Sequence, residues 1–191
     1  MKRISITLML LAPVIAGNAQ QVTEAVSMFA FDLYAKTAAG NSSNFVFSPL
    51  SITPAFGMVA LGARGETQKQ LDEVFHFQPT TNFHSELGKL QQKVLKSAGD
   101  SVEICMANRA WLEKSYRVLG KYSKALRRSY SAKIATADFV GNFEASRLLI
   151  NKTVEADTRS YIKNLLPEGS LDEMTRLVLT NAIYFKGKWE V

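Results

Sequence analysis

Hydrophobic residues recur at helical spacing along much of the chain, and each such stretch predicts an amphipathic helix. The first stretch begins at Val22 and ends at Tyr34. Ser48 followed by Pro49 has the pattern of an N-cap residue and a first helical residue, so a second helix is predicted to continue to about Leu61.

Four further helices follow from the same pattern and from capping signals. Thr67 and Gln70 have the spacing of a capping box, which predicts a short third helix. Asn142 is the predicted N-cap of a long helix that ends at Pro167–Gly169. The other two helices are predicted over 83–95 and 119–130.

Three stretches have the pattern of strands instead. Residues 101–112 and 133–139 alternate between hydrophobic and polar side chains, which is typical of strands. Residues 177–185 are almost continuously hydrophobic, which predicts a strand covered on both faces in the middle of a large sheet. Together the elements predict one α+β domain or part of one.

The N-terminus has the pattern of a secretory signal peptide. Lys2 and Arg3 precede a hydrophobic run over 4–15, and small residues then lead to a predicted cleavage site after Ala19. We therefore expect a signal peptide over 1–19, a mature domain over 20–191 and secretion into the extracellular space. No later stretch reaches the about 20 hydrophobic residues of a membrane span.

Composition and motifs exclude several function classes. Removing the two basic residues of the signal peptide lowers the formal charge from +6 to +4, which weakens an interpretation as a nucleic-acid-binding protein. Cys105 is the only cysteine, so no intrachain disulfide can form. His76 and His84 lack a third ligand at suitable spacing, so no metal site is expected. No catalytic or phosphate-binding motif is present, and neither an enzyme nor a cofactor is predicted.

Three local sequences resemble those of the serpin family. They are NFVFSPLS at 44–51, LGARGET at 61–67 and TNAIYFKGKW at 180–189. They occur in the order and at the spacing that the family shows. The resemblance covers residues 20–191 but only about the first half of the family's domain. It implies a serpin-like α+β fold, incomplete, with helices packed on a large, mostly antiparallel sheet.

The resemblance also implies a family activity, the inhibition of serine proteases or, less often, cysteine proteases. In that mechanism a protease cleaves a reactive loop, and the loop then inserts as a strand into the central sheet. Nothing in this sequence corresponds to the reactive loop, so the chain as given is expected not to inhibit. The alternative is a non-inhibitory binding, carrier or interaction protein.

Several residues match functional positions of the family. Ser48, Ser51 and Asn181 match the shutter, a polar cluster beneath the central sheet that rearranges when the sheet opens. Trp189 matches the breach, where insertion of the loop begins. Thr153 stands where the family usually has a tryptophan, which puts the packing of the long helix on the sheet in question.

Two weaker signals concern the surface of the protein. Asn41 and Asn151 begin glycosylation sequons, and the first lies in a predicted loop while the second lies in a predicted helix. Lys121, Lys124 and Arg128 share one helical face and form a candidate site for a sulfated polysaccharide. The alternative for these basic residues is an ordinary solvated helix face.

Overall fold

The computed structural model describes residues 11–80, 82–97, 99 and 102–188, and it describes side chains from residue 19 onward. The chain divides between Gln91 and Gln92 into two compact units. The α+β class predicted from the sequence is confirmed. In chain order the described elements are α1 (Leu11–Ala38), α2 (Pro49–Gly62), α3 (Gly65–Phe75), α4 (Phe83–Ser97), β1 (Val102–Glu113), α5 (Gly120–Tyr130), β2 (Lys133–Ala137), α6 (Phe139–Asp157) and β3 (Leu177–Gly187).

In the first unit, α1 packs with α2 and α3. Val22, Ala25 and Phe29 are buried on α1, at the spacing expected for one helix face. Tyr34, which the sequence pattern includes in the same hydrophobic stripe, is 56% exposed. The hydrophobic face of α1 is therefore shorter than predicted.

An aromatic cluster joins these three helices. The ring of Phe75, at the end of α3, lies 4.5 Å from the ring of Phe29 on α1 and 4.7 Å from the ring of Phe56 on α2, measured between centroids. Such contacts add to the free energy gained by removing these large side chains from water. Near the same end of α3, the imidazole of His76 lies 2.8 Å from the carboxylate of Asp32 on α1.

The start of α2 is as predicted, but the start of α3 is not. Ser48 is the N-cap residue of α2 and Pro49 its first residue, although the Ser48 side chain makes no capping hydrogen bond. Helix α3 begins at Gly65 with Arg64 as its N-cap residue. Thr67 consequently lies inside the helix, and the predicted capping box is wrong.

In the second unit, the described strands form a mixed sheet with the order β2-β1-β3. Strands β1 and β2 are parallel, and β1 pairs with β3 in antiparallel orientation along all eleven residues of β3. The sequence implies a large, mostly antiparallel sheet. The described part of the chain contains three strands of it, which form one antiparallel pair and one parallel pair.

Helix α6 covers one face of this sheet. Side chains alternate between the two faces of a strand, and those of β1 and β3 that face α6 form the core of the unit together with the helix. Ile150 and Val154 of α6 are buried in that core, so the helix packs on the sheet even though Thr153 stands where serpins usually have a tryptophan. The buried members of the core are Trp111, Ala137, Phe139, Ile150, Val154, Leu171 and Ala182.

A buried carboxylate fixes the beginning of α6. Glu113, the last residue of β1, is only 1% exposed. Its Oε2 atom accepts hydrogen bonds from the backbone N–H groups of Phe139 and Val140, at 2.6 and 3.2 Å. Its Oε1 atom accepts from the backbone N–H and the hydroxyl of Ser115, at 3.0 and 2.7 Å. The hydrogen bonds from Phe139 and Val140 satisfy N–H groups of the first turn of α6, which have no partner within the helix.

The first turn of α6 has a second capping group and a kink. The Asp138 side chain accepts a hydrogen bond from the N–H of Gly141 at 2.9 Å, and a Cβ atom at Gly141 would lie only 2.8 Å from the same carboxylate. Asn142 has non-helical backbone angles. Its side-chain oxygen accepts from the N–H of Ala145 at 2.9 Å, which confirms that Asn142 is a cap, but the helix begins at Phe139.

Helix α6 ends at Asp157, ten residues before the predicted end at Pro167. The hydroxyl of Thr158 donates to the carbonyl of Val154 at 2.8 Å and accepts from a later N–H group. Arg159 and Ser160 then adopt positive φ angles of 52° and 65°. Because these angles turn the chain back, residues 158–176 form a separate segment, which we call the strap.

Strand β3 is less buried than its hydrophobic sequence predicts. Leu177 is 41% exposed and Phe185 is 66% exposed, whereas Ala182 is buried. Among the described residues, β3 has a neighbouring strand on one side only, the side of β1. The prediction of a strand covered on both faces in the middle of a sheet is therefore not met within the described part of the chain.

We predict that Glu113→Gln lowers the thermal stability of the second unit, because an amide nitrogen would face N–H and O–H donors. Hydrogen bonds from Ser115, and then from Val140 and Phe139, hold the pKa of Glu113 at about 2 despite its burial. Its stabilising effect is complete above the ordinary pKa of 4.5 and is lost as the pH falls from there toward 2.

The measurement is thermal unfolding followed by circular dichroism from neutral pH downward. The variant should differ most from the wild type at neutral pH, and the difference should shrink in acid. Glu144→Gln is the matched control, since Glu144 pairs with Arg147 of the same helix. Equal losses in the two variants would contradict the role given to Glu113.

Candidate functional site at the edge of β3

The outer edge of β3 is the most distinctive feature of the second unit. In the described part of the chain, this edge has no neighbouring strand. An unpaired edge presents backbone N–H and C=O groups that can form hydrogen bonds with an added strand. The groups on both faces of β3 therefore determine what a strand added there would encounter.

On the face away from α6, β1 and β3 are joined by a pair of amide side chains. The strand register places Asn108 directly opposite Asn181. The Nδ2 atom of Asn181 donates to the Oδ1 atom of Asn108 at 2.6 Å. Asn108 in turn donates to the backbone carbonyl of Tyr130, the last residue of α5, at 3.1 Å. Asn108 thus links the side chain of Asn181 on β3 to the C-terminal end of α5.

The other predicted shutter residues lie in the first unit. Ser48 and Ser51 are half-buried at the start of α2, where the N–H of Ser51 donates to the carbonyl of Ser48 at 3.0 Å. Their proximity to Asn181 stays a prediction. Trp189, the predicted breach residue, lies outside the described residues.

On the face toward α6, an ion pair joins β1 to the end of the helix. The guanidinium of Arg109 donates to both carboxylate oxygens of Asp157, at 2.5 and 2.8 Å. This hydrogen bonding lowers the pKa of Asp157, although burial opposes the shift. Arg109 also lies 5.8 Å from the ring centroid of Trp111, whose indole N–H donates to Thr180 of β3 at 3.3 Å. The end of α6 is therefore connected to both strands.

The strap is hydrogen-bonded to α6 through Asn151. The side chain of this residue donates to the carbonyl of Leu166 at 2.8 Å and accepts from its N–H group at 2.8 Å. Arg147 donates to the same carbonyl at 2.7 Å. Since Asn151 is also buried, a glycan on its nitrogen would break this packing. The structure therefore argues against Asn151 as a glycosylation site in the folded protein.

Two contacts hold the beginning of the strap on the strands. The ring of Tyr161 stacks on Tyr184 of β3 with 4.3 Å between centroids. The guanidinium of Arg159 pairs with the carboxylate of Glu103 on β1. The sequence predicts that Tyr161 lies within the long helix, but the residue lies beyond the end of α6 and is 61% exposed.

The remaining surface predictions fall on exposed residues. Asn41 lies in the loop after α1 with its side-chain oxygen 2.9 Å from the N–H of Ser43. Lys121, Lys124 and Arg128 are exposed on α5. Glycosylation at Asn41 and polysaccharide binding by the three basic residues stay predictions.

Metal sites and membrane spans can be assessed for the described residues alone. Across them, no three His, Cys, Asp or Glu side chains come together as a metal-binding group. Within the same part of the chain, no helix has the length and hydrophobicity needed to cross a membrane.

Comparison with known proteins decides the family. The sequence profile described as Serpin (serine protease inhibitor) matches residues 24–191. This chain belongs to the serpin family. It is 39% identical to human Serpin B3 over 185 residues, which is 88% of this chain and 47% of that protein. It is 40% identical to mouse leukocyte elastase inhibitor A over 172 residues, covering 90% of this chain and 45% of that protein.

Solved serpin structures have the same arrangement of elements. Emu ovalbumin superimposes with a TM-score of 0.81 at 31% identity, over 90% of this chain and 48% of the ovalbumin chain. Arabidopsis AtSerpin1 in its native stressed conformation gives a TM-score of 0.76 at 32% identity, over 88% and 44% of the two chains. The chain thus has a serpin-like fold and spans about half the length of the serpins it matches.

Three residues of this serpin that organise the site are absent from the sequence-based prediction. Arg109 and Glu113 are charged residues of β1, and Asn108 is an amide residue of the same strand, directly before Arg109. Each has at least one hydrogen-bond partner that lies 22 to 73 positions away in the chain. The signal that could identify them is a charged or amide residue within an otherwise hydrophobic strand, because such a group must find a partner when it is buried.

We predict that Asn108→Ala destabilises this serpin chain by about 1–3 kcal/mol, because it removes one hydrogen bond from the Asn181 amide and one from the Tyr130 carbonyl. Urea unfolding followed by circular dichroism measures the change. Gln92→Ala removes an exposed amide from α4 and is the control, with an expected change below about 0.5 kcal/mol. An equal effect of the two substitutions would show that the amide pair contributes nothing.

Proposed function

We propose that this chain supplies the part of a serpin sheet beside which a reactive loop inserts, within an inhibitor of serine-type proteases. The observation that carries the proposal is the edge of β3, which is unpaired among the described residues while its other edge pairs with β1 along its whole length. The role is that of a protein inhibitor and not of an enzyme.

The proposed mechanism is the known one of the family. The protease cleaves the reactive loop and forms an acyl ester with it, and the loop then inserts as a strand into the sheet. Insertion carries the attached protease across the molecule and distorts its active site, so each inhibitor molecule is consumed. In this chain, the loop would add to the outer edge of β3, with Asn181 on one face of that strand and α6 covering the other.

The amide pair supports this role. Ser48, Ser51 and Asn181 are proposed to form the shutter, and Asn108 joins it because it holds the Asn181 side chain. A strand that enters beside β3 must pass the amide pair of Asn108 and Asn181, whose polar atoms need hydrogen-bond partners both before and after insertion. Trp189 is proposed as the breach residue on the strength of the sequence resemblance alone.

The test is complementation of this chain with the C-terminal half of mouse leukocyte elastase inhibitor A, which contributes a reactive loop. We expect the two pieces, when coexpressed, to form a complex with elastase that survives denaturing electrophoresis. This chain alone should form none, because it has no sequence that corresponds to the loop. A complementation product in which elastase merely cleaves the loop and is released would contradict the proposal.

A non-inhibitory binding or carrier protein is the second candidate, and the exposed hydrophobic residues of β3 favour it, since such an edge recruits other chains. A stable monomer of this chain alone, with no gain of inhibition on complementation, would support that alternative. Secretion after removal of residues 1–19 remains part of the proposed function. Analysis of the mature N-terminus in culture medium tests secretion.

A further inference from the structure

The positive charge of this protein is concentrated in one continuous segment. Residues 114–137 contain seven of the 23 Lys and Arg residues and none of the 17 Asp and Glu residues. The rest of the chain therefore carries one more negative than positive side chain, and the segment accounts for the whole net charge of +6. Such a strong local excess attracts anionic partners. We call residues 114–137 the basic segment.

Helix α5, in the middle of the basic segment, presents its charges on one side. At about 100° per residue, its four basic side chains fall within one third of the helix circumference, away from the buried residues Leu126 and Tyr130. All four are exposed and none has an acidic neighbour within α5. They are Lys121, Lys124, Arg127 and Arg128.

The loop before α5 adds exposed hydrophobic side chains to the same segment. Tyr116 is 60% exposed and Leu119, the N-cap residue of α5, is 64% exposed. Arg117 lies between them and is exposed as well. Exposed hydrophobic groups that alternate with basic ones over a few residues combine two kinds of attraction, one to negative charge and one to an apolar phase.

We propose that the basic segment binds the surface of an anionic phospholipid bilayer, with Tyr116 and Leu119 at the boundary between headgroups and acyl chains. A peripheral membrane site needs both basic residues and hydrophobic side chains that enter the interface. A sulfated polysaccharide offers negative charge but no apolar phase, so it would leave Tyr116 and Leu119 without a role. This is why the observations favour a lipid surface. The proposal does not depend on protease inhibition.

The expected strength of binding follows from the charges. Each basic residue close to an anionic membrane strengthens binding by about fivefold. This attraction falls off within about 10 Å at 0.1 M salt, so it weakens as salt is added. Binding that depends on charge alone would disappear at high salt, whereas the hydrophobic contribution of Tyr116 and Leu119 would persist.

The first experiment is cosedimentation of the whole chain with vesicles made of equal parts phosphatidylserine and phosphatidylcholine. We expect binding to these vesicles and at least about tenfold weaker binding to vesicles of phosphatidylcholine alone. Absence of binding to the anionic vesicles would overturn the proposal, whether or not the chain binds heparin in a parallel measurement.

The second experiment compares two sets of charge changes of equal size. Replacing Lys121, Lys124 and Arg128 with Gln should weaken vesicle binding by about a hundredfold. The control is the replacement of Lys89, Lys93 and Lys96 with Gln, which removes three exposed lysines from α4. Equal losses in both variants would mean that only the overall charge matters and would overturn the assignment to the basic segment.

The third experiment separates a lipid surface from a polysaccharide. The double variant Tyr116→Ser and Leu119→Ser should bind the anionic vesicles at least about tenfold more weakly and bind heparin as the wild type does. Met174→Ser, which removes another exposed hydrophobic side chain, should change neither vesicle binding nor heparin binding. Thermal unfolding of each variant confirms that it is folded. Unchanged vesicle binding by the double variant would overturn the proposal and favour a ligand recognised by charge alone.

Discussion

The buried carboxylate of Glu113 lies where β1 ends and α6 begins, and the arrangement of the second unit depends on it. Leaving a charge in the protein interior without partners is costly, so the donors around it must hold fixed positions. Those donors are the first N–H groups of α6 and the turn at Ser115. The helix dipole adds to the attraction, since its positive end lies at the carboxylate. Glu113 therefore sets where α6 starts relative to the sheet, and hydrophobic packing alone would define that position less sharply.

Strand β1 serves as the anchor for elements on both faces of the sheet because its side chains alternate. Glu103, Arg109 and Glu113 lie at odd-numbered positions, and they hold the strap, the end of α6 and the beginning of α6. Asn108 lies at an even-numbered position and holds β3 and α5 on the opposite face. One strand thus holds the pair of Asn108 and Asn181 on one face of the sheet and both ends of α6 on the other.

Local features of the fold could be predicted from the sequence, and features that depend on distant residues could not. Ser48 before Pro49 and the cap at Asn142 are signalled by neighbours within a few residues, which is why the structure agrees with them. The end of α6 depends on Thr158 and on two positive φ angles, for which Arg159 and Ser160 give no signal. Asn181 came from the family resemblance, but its partner Asn108 lies 73 residues away. Only the register of β1 and β3 brings the two amides together.

The composition of β3 is typical of a strand that is paired along both edges. Proteins that keep an edge strand exposed protect it with charged residues, proline or bulges. Strand β3 has no proline, and its only charged residue, Lys186, is next to its last position. Its pairing with β1 continues without interruption for eleven residues, so no bulge turns the edge away. A strand with these properties is stable in isolation only at the risk of aggregation. The family's mechanism adds a strand to such a sheet, and under the proposed function the unprotected outer edge of β3 is the edge with which a reactive loop would pair.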